Sequence, residues 1–377
     1  MKFFAKTLPG LEDILRDELL SIGAASATSS LRGVEFEGDE ELMYKALIHS
    51  RLALRILVPM TTGRVESEQD IYELTKTVPW FEHFRLSNTI AIDTVTTHPV
   101  MNHSVFLSQK TKDAVADVFR ERFGERPNVD VKSPDVLIHL HLNAAGMASL
   151  YLDPSGRSLN QRGYRVDGWK APLNEVLAAG LITLSGWDPE TPFVDPMCGS
   201  GTLVIEAALI AKKKAPGLVK ADFGLQRWPG FRKSLWQGLM MEARLQVRRD
   251  VDWIHGSDIE PGAIAAAKSN LSAASLMHNV RLGVAPVRHC RIPADAGHIV
   301  TNPPYGERIG DAAGIQATYV DIRDMLFDRA HDYKASFITS DTSFRKIMGL
   351  KEDRRIALKN GPLDVEFITY TMYPKRG

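Results

Sequence analysis

The chain has 377 residues, of which 44% are hydrophobic and 24% are charged, a composition that excludes a disordered or collagen-like protein. Forty-six basic residues balance forty-six acidic ones, so net charge alone does not indicate a polyanionic partner. Two cysteines exclude a disulfide framework and a four-cysteine zinc site, and we expect no metal. No apolar run reaches a membrane span of roughly 18 residues, and charges near the N-terminus disfavour a signal peptide. We therefore expect a cytoplasmic protein of two or three domains with no membrane partner.

The first 60 residues predict a small α+β domain. An apolar stripe over 11–22 predicts a helix that Gly23 ends. A strand is expected over 34–36, a helix over 42–54, and a strand over 56–58 that Pro59 ends.

Residues 61–156 predict a second α+β domain. Its elements are an apolar segment at 71–74, a strand at 89–96, a helix at 110–123, strands at 136–142 and 147–152, and a turn at 153–156. His139 and His141 share one face of the strand at 136–142. A metal-binding pair is disfavoured because no third ligand lies at a recognisable spacing, so we expect solvent-facing or interdomain histidines.

After a linker at 157–171, residues 172–377 alternate between helices and strands. Helices are expected at 174–185, 202–212 and 261–274, and strands at 193–194, 253–255, 280–284, 299–300 and 336–339. Asn360-Gly361 predicts a hairpin between 356–358 and 365–373. The pattern predicts an α/β fold, a doubly wound parallel sheet with an antiparallel edge strand, which binds ligands beyond the carboxyl ends of its strands.

Within this part, residues 211–249 form a basic insert. It holds ten basic and two acidic residues, interleaved with Phe223, Trp228, Phe231 and Trp236. Cations for phosphates and rings for unpaired bases suit nucleic acid. The alternative, given equal weight, is a solvated loop whose aromatic residues pack on the domain.

A strand, a glycine turn and a helix make up the segment Phe193–Thr202. Gly199 and Gly201 allow close approach of a ligand to the backbone, but the full dinucleotide spacing and a phosphate-binding lysine are missing. Asp195 at the strand end suits a cationic ligand, and Asp258 at the next strand end suits ribose hydroxyls. Together these acids favour S-adenosylmethionine (AdoMet), whereas the glycine turn by itself also fits an ordinary strand-to-helix loop.

The most specific signal is Asn302-Pro303-Pro304-Tyr305, directly after a buried strand. The Asn302 side chain and the Pro303 carbonyl supply hydrogen-bond acceptors, and Tyr305 supplies a flat ring for stacking. This combination suits an exocyclic amine of a flipped base presented to an electrophilic methyl group. Methylation at a pyrimidine carbon is excluded, because it needs a cysteine nucleophile and Cys198 and Cys290 lie outside this loop.

The chain resembles class I methyltransferases that carry a THUMP RNA-binding domain, and most closely the short, single-methyltransferase form of the bacterial 23S rRNA guanine-N2 methyltransferases. The resemblance rests on 195–202 (DPMCGSGT), 302–308 (NPPYGER), the opening 3–12, and the segments 160–165 and 171–175. It implies a ferredoxin-like domain at 1–60, a THUMP domain at 61–156 and a Rossmann-like methyltransferase domain at 172–377. It also implies structured RNA as partner, 23S rRNA or a pre-ribosomal particle, and conversion of AdoMet to S-adenosylhomocysteine (AdoHcy).

These arguments give three sets of candidate residues. The catalytic set is Asn302, Pro303, Pro304 and Tyr305, and the cofactor set is Asp195, Pro196, Gly199, Ser200, Gly201, Thr202, Asp258, Ile259 and Asn302. The RNA-contact set is Lys110, Lys112, Arg162, Arg165, Arg232 and Lys233, for which solvated surface charge is the alternative. Relatives usually carry an acid for adenine after the third strand, but here 285–290 has none and Asp295 is the first.

Three functions remain open at this point. The leading one is transfer of methyl from AdoMet to the N2 amine of guanosine in 23S rRNA. The second is methylation of another exocyclic amine, tRNA guanine N2 or adenine N6, because the Asn302–Tyr305 loop serves all of them. The third is a non-catalytic RNA-binding assembly factor, which the missing acid favours and the intact motifs oppose.

Overall fold

The computed structural model describes residues 1–169, 172–220, 222–293, 296–305 and 312–374. These residues form two seven-stranded sheets, one in each half of the chain. No helix in the described ranges is long and apolar enough to cross a bilayer. The glycine turn at 195–202 and the Asn302–Tyr305 loop both follow strands of the second sheet.

The N-terminal sheet has the strand order β2-β3-β1-β4-β7-β6-β5. Its strands are β1 (Lys2–Lys6), β2 (Ser26–Ser30), β3 (Gly33–Glu37), β4 (Arg55–Arg64), β5 (Ile90–Thr96), β6 (Val136–Leu142) and β7 (Met147–Asp153). Four helices accompany it: α1 (Glu12–Ile22), α2 (Glu40–His49), α3 (Glu68–Lys76) and α4 (Ser104–Phe123). Gly23 ends α1 in a left-handed conformation, as predicted.

Strand β4 differs most from its prediction. It continues past Pro59 to Arg64, pairing first with β1 and then with β7, and its register shifts between Pro59 and Thr61. A proline fits at such an irregularity because the ladder needs no N–H donor there. The expected domain boundary at 60/61 therefore falls inside one strand, and the two N-terminal domains share a continuous sheet.

The N-terminal half also differs from the sequence predictions in smaller ways. Strand β2 was missed because its sequence is polar, with no apolar alternation. Helix α2 ends at His49 rather than at 54, and the buried Leu52 and Ala53 lie in the coil beyond it. The segment at 71–74 is the middle of α3, which Ser67 begins with a capping box to Asp70.

The C-terminal sheet has the order β10-β9-β8-β11-β12-β14-β13, and β14 runs antiparallel to both of its neighbours, β12 and β13. Its strands are β8 (Phe193–Asp195), β9 (Ile254–Asp258), β10 (Val280–Val284), β11 (Gly297–Thr301), β12 (Tyr333–Thr339), β13 (Arg354–Asn360) and β14 (Leu363–Thr371). The helices are α5 (Glu175–Ser185), α6 (Thr202–Ala211), α7 (Lys233–Leu245), α8 (Pro261–Ala273), α9 (Ala312–Arg329) and α10 (Ser343–Met348). The doubly wound fold class is confirmed.

In the basic insert, the aromatic side chains pack inside the protein. Phe223 and Trp236 are buried, with ring centroids 4.9 Å apart, and Trp228 and Phe231 are partly buried in the same core cluster. This cluster also contains apolar residues of α1, α2 and β1. Of the two interpretations given equal weight, packing of the aromatic residues on the domain is therefore confirmed, because burial of the rings against the N-terminal domain gains hydrophobic free energy.

His139 is buried rather than solvent-facing. Its Nε2 lies 3.0 Å from Asp153 Oδ2 and its Nδ1 lies 3.2 Å from Asp93 Oδ2, while Arg55 also pairs with Asp153. Burial disfavours its charge, but the bonds to the two carboxylates raise the pKa of His139. His141 is exposed, and the described residues contain no cluster of potential ligands that could hold a metal ion.

Arg162 must be removed from the RNA-contact set, because its side chain is only 1% exposed. Its guanidinium donates to the carbonyls of Leu159 and Arg51 and lies 3.5 Å from Glu206, which also accepts a bond from Tyr164. These contacts join the linker and the N-terminal domain to helix α6. A cation enclosed in this way cannot reach a phosphate.

We predict that Arg162→Met destabilises the fold. The buried Glu206 loses the stronger of its two cationic neighbours, Arg162, while Arg51 remains. We expect a cost of about 3 kcal/mol of unfolding free energy, as for a broken buried ion pair. Urea unfolding followed by tryptophan fluorescence measures the loss. The control is Arg232→Met, whose side chain is 62% exposed and whose replacement is expected to cost about 0.5 kcal/mol or less. Equal urea midpoints for the two variants would contradict the structural role of Arg162.

Candidate functional site

The two sequence motifs meet at the carboxyl edge of the C-terminal sheet. Strands β9, β8 and β11 are hydrogen-bonded neighbours and all run parallel. Asp258, Asp195 and Thr301 are their last residues, and the Asn302–Tyr305 loop follows directly. Parallel strands place their carboxyl ends at the same edge, so the sheet gathers the glycine turn, both acids and the loop.

The glycine turn is held from the neighbouring strand. Cys198 N donates to Ser257 O at 2.8 Å, and Gly199 N donates to Asp258 Oδ2 at 2.9 Å. Gly201 has φ +88° and would place a Cβ 3.1 Å from Ala267 Cβ, so glycine is needed there for close packing. Gly199 has φ +52°, and no described atom lies within 4 Å of where its Cβ would be. The turn therefore leaves open space on its Gly199 side.

Asp195 is a buried acid, 1% exposed. Its Oδ1 accepts bonds from Thr301 Oγ1 at 2.6 Å and from Met197 N at 3.2 Å. The pKa of Asp195 is raised to about 7. Burial is the main cause and the negative charge of Asp258 adds to it, while the two hydrogen bonds act in the opposite direction. No salt bridge to Asp195 exists among the described residues, so the carboxylate lacks a protein counter-charge.

Asp258 and Ile259 lie at the more open side of the edge. Asp258 is half-buried and accepts from Gly199 N and Glu260 N, one bond to each oxygen, which leaves further acceptor positions on both. Ile259 is 65% exposed beside it. An acceptor next to an exposed aliphatic side chain can hold a polar ring substituent and cover an adjacent apolar ring face.

The Asn302–Tyr305 loop is fixed at three points. Thr301 binds Asp195, Tyr319 donates its hydroxyl to Pro304 O at 2.9 Å, and Asn360 Nδ2 donates to the Tyr305 hydroxyl at 2.8 Å. Asn302 Oδ1 is buried and has no hydrogen-bond partner among the described residues. The loop thus holds an unused acceptor beside a tyrosine ring of fixed orientation.

None of the three anchoring side chains, Thr301, Tyr319 and Asn360, was predicted from the sequence. Thr301 precedes the recognised motif, and its position as the last residue of a buried strand was the only signal for it. Asn360 was recognised only as part of a hairpin turn, because its contact with Tyr305 crosses 55 residues of sequence.

Some residues of the predicted motifs are not among those that the structure describes. Gly306, Glu307 and Arg308 of the second motif, Ala171 of the linker motif and Asp295 lie outside the described residues. After β10, a short 3-10 turn over Val287–His289 occupies the place where an acid for adenine was sought.

Cys198 and Cys290 are both buried, and burial raises their thiol pKa values, which agrees with a non-catalytic role.

The remaining RNA-contact candidates have different surroundings. Lys110 and Lys112 lie on α4, bonded to Gln69 and paired with Asp113 respectively. Arg232 and Lys233 are exposed at the start of α7. Arg165 instead pairs with Glu175 at 2.8 Å and donates to Leu173 O and, at 3.3 Å, to Thr202 Oγ1. Arg165 therefore lies at the glycine turn, and its guanidinium already has protein partners.

Family models match three consecutive parts of the chain. Residues 2–57 match the RlmL ferredoxin-like domain, residues 65–153 match the THUMP domain, and residues 162–368 match the RMKL-like methyltransferase domain. The last match alone covers more than half of the chain.

Individual proteins resemble the chain over its whole length. "Putative RNA methyltransferase slr0064" of Synechocystis sp. is 36% identical over 98% of this chain and 97% of its own length. "Ribosomal RNA large subunit methyltransferase K/L" of Syntrophotalea carbinolica is 36% identical over 100% of this chain, which spans only 54% of that relative. The crystal structure of "SMU.472, a putative methyltransferase complexed with SAH" superposes with a TM-score of 0.90 and 27% identity, covering 100% of this chain and 98% of that one.

The raised pKa of Asp195 gives a pH prediction for the ligand-free protein. The folded state holds this proton up to about pH 7, whereas the unfolded chain releases it near the ordinary value of 3.8. By linkage, the contribution of Asp195 to the stability of the folded state is largest below about pH 4 and is lost as the pH rises to about 7. Asp195→Asn keeps the acceptor for Thr301 and removes the titration. Thermal melts should show the variant gaining on the wild type from pH 5 to 7, with no further gain above. A pH-independent difference would show that Asp195 is ionised throughout.

Proposed function

The chain belongs to the family of RMKL-like methyltransferases with a THUMP domain, and we propose that it transfers a methyl group from AdoMet to the N2 amine of a guanosine in RNA, with 23S rRNA as the leading substrate. The observation that carries the proposal is the joining of the glycine turn to the Asn302–Tyr305 loop by the bond from Thr301 to Asp195. One edge of one sheet thereby holds both a place for the methyl donor and acceptors for the receiving amine.

The residues at the edge fit AdoMet. The buried carboxyl group of Asp195 has no cationic partner in the part of the chain that the structure describes, and the ammonium and sulfonium groups of AdoMet would supply positive charge. The open space beside Gly199 is where a side chain would obstruct the methionine part. Asp258 has free acceptor positions for the ribose hydroxyls, and the exposed Ile259 would cover one face of adenine in the absence of an acid after β10. The SMU.472 relative, crystallised with SAH, supports the same ligand class here.

The chain's own residues would orient the receiving amine. AdoMet supplies an electrophilic methyl group. Asn302 Oδ1 has no donor among the described residues and would accept one N–H of the amine, with the Pro303 carbonyl as second acceptor. Tyr305, fixed by Asn360, would stack on the base. The two acceptors would hold the nitrogen lone pair toward the methyl carbon, and the methylated nitrogen would lose its extra proton to solvent after attack, so no strong base is needed.

Guanine N2 in large-subunit rRNA is the finer part of the proposal. It rests on the resemblance to guanine-N2 enzymes and on the printed names of the K/L relatives. The THUMP match supports structured RNA as the substrate, and the exposed Arg232 and Lys233 remain candidate phosphate contacts. Because the K/L relatives are nearly twice as long as this chain, their activity is carried over as a proposal only.

The deciding experiment is methylation of defined RNA by the purified full chain. Tritiated AdoMet is added with 23S rRNA, tRNA or isolated large subunits, and the product nucleosides are identified by mass spectrometry. N2-methylguanosine in 23S rRNA supports the proposal. N6-methyladenosine, or N2-methylguanosine confined to tRNA, would replace it with another exocyclic-amine substrate. Tight RNA binding without AdoHcy binding or methyl transfer would favour a non-catalytic assembly factor.

Asn302→Ala should lower the methyl-transfer rate at saturating AdoMet by about 100-fold or more, as expected when a preorganised polar contact to the reacting group is lost. Single-turnover kinetics with the identified RNA measures the rate. Asn302→Asp keeps an acceptor oxygen and should retain clearly more activity than Asn302→Ala. Full activity of Asn302→Ala would refute the assigned role.

Asn360→Ala should lower kcat by about tenfold, because the Tyr305 ring loses its fixed orientation. Tyr305→Phe removes the same hydrogen bond from the other side. If Asn360 acts only through Tyr305, the double variant should be no slower than either single variant. Additive losses in kcat would instead show that Asn360 contacts the substrate directly.

A further inference from the structure

Asn270 is a buried polar residue in the middle of α8, outside the motifs recognised in the sequence. It is 1% exposed and has buried apolar neighbours on its helix, including Ala266, Ala267 and Leu271. An amide side chain in such a place is costly unless all of its hydrogen-bonding capacity is used. Here it is all used, in four bonds.

The four bonds lead to two different segments. Asn270 Oδ1 accepts from Val166 N and Asp167 N, both at 3.0 Å, and Nδ2 donates to Asp167 O and Ser200 O, both at 3.0 Å. Two N–H groups on one side and two carbonyls on the other fix the orientation of the amide. One side chain therefore ties the linker to the glycine turn.

The same linker is anchored to the N-terminal half of the chain. Leu159 N donates to Leu54 O at 2.8 Å, and Arg162 donates to Arg51 O. Farther along, Arg165 reaches Thr202 Oγ1 at the other end of the glycine turn, and Trp169 packs against Gly262 in the first turn of α8. The linker thus contacts the turn directly through Arg165 and indirectly through Asn270.

The glycine turn is the part of the site that must have one shape to receive the methionine part of the cofactor. Ser200 lies between Gly199 and Gly201, both at positive φ, and the N–H groups of Cys198 and Gly199 are held by β9. The Ser200 carbonyl is oriented by Asn270. A ligand that requires this shape must also favour the docked linker, and by linkage a docked linker must favour the ligand.

We propose that Asn270 is a positioning residue of the cofactor site, which holds the glycine turn in its binding shape only while linker residues Val166 and Asp167 are docked. Cofactor binding and linker docking then stabilise one another. The position of the RNA-binding half of the chain is thereby coupled to the cofactor site. This inference rests on the proposed function, because it takes AdoMet as the ligand of the turn.

The test combines calorimetric titration with hydrogen exchange, using the full chain and AdoHcy. In the wild type, AdoHcy should slow exchange of the Val166 and Asp167 amides by about 5-fold or more, measured by mass spectrometry on overlapping peptides over 164–169. Asn270→Ala should weaken AdoHcy binding by about tenfold and abolish the added protection.

The matched control is Asn279→Ala. Asn279 is also a buried asparagine, 8% exposed, but its amide donates to Val251 O and contacts neither the linker nor the glycine turn. The Asn279→Ala variant should bind AdoHcy with a dissociation constant within about twofold of the wild-type value, because Asn279 shares no partners with the cofactor site. A general destabilisation of the domain would instead weaken both variants alike and overturn the specific role of Asn270.

The possible outcomes distinguish failure of the proposed function from failure of the proposed coupling. Failure of the wild type to bind AdoHcy would remove the proposed cofactor, and the proposed function with it. Binding of AdoHcy without added protection at 166–167 would overturn the coupling and leave the proposed function intact. Because the exchange measurement uses the unmodified protein, it decides the matter even if Asn270→Ala does not fold.

Discussion

The 2.6 Å hydrogen bond from Thr301 Oγ1 to Asp195 Oδ1 is the interaction on which the candidate site depends. It joins the ends of β8 and β11, and those strands carry the glycine turn and the Asn302–Tyr305 loop. The bond is short and buried from water, so it keeps the two loops in one register. The proposed methyl donor and acceptor amine would meet across this bond.

The same carboxylate shows a conflict between stability and ligand binding. Burial raises the pKa of Asp195 to about 7, so an ionised Asp195 is costly in the ligand-free protein. A cationic ligand would relieve that cost. Strain of this kind is common where a site is built for a ligand rather than for the stability of the fold.

The N-terminal half is joined to the site through well-packed contacts. Strand β4 extends across both N-terminal domains, the aromatic residues of the basic insert pack against the first of them, and Arg162 pairs with Glu206 of α6. These contacts bury apolar surface and charge between the halves, which disfavours free movement of the RNA-binding domains. Substrate presentation would then depend on a fixed geometry between the THUMP domain and the loop at Asn302.

Signals from residues close together in sequence predicted much of the fold. Gly23 predicted the end of α1, and the alternation of strands and helices together with the Asn360-Gly361 turn predicted the doubly wound sheet. These features depend on residues close in sequence. The Asp195 and Asn302 motifs were expected after neighbouring parallel strands, and the structure brings both to one edge of the sheet. The sequence also identified the family that the comparisons support.

Other features were decided only by tertiary structure. Pro59 did not end its strand because a bulge accommodated it, and the insert aromatics became core residues because a partner surface was available to bury them. Arg162 and Arg165 read as surface cations in sequence, yet Glu206, Glu175 and backbone carbonyls enclose them. The roles of Thr301, Asn360 and Asn270 depend on partners 55 to 106 residues away. A single sequence determines which residues form strands, turns and motifs through local preferences, whereas burial and long-range hydrogen bonds exist only once the chain has folded.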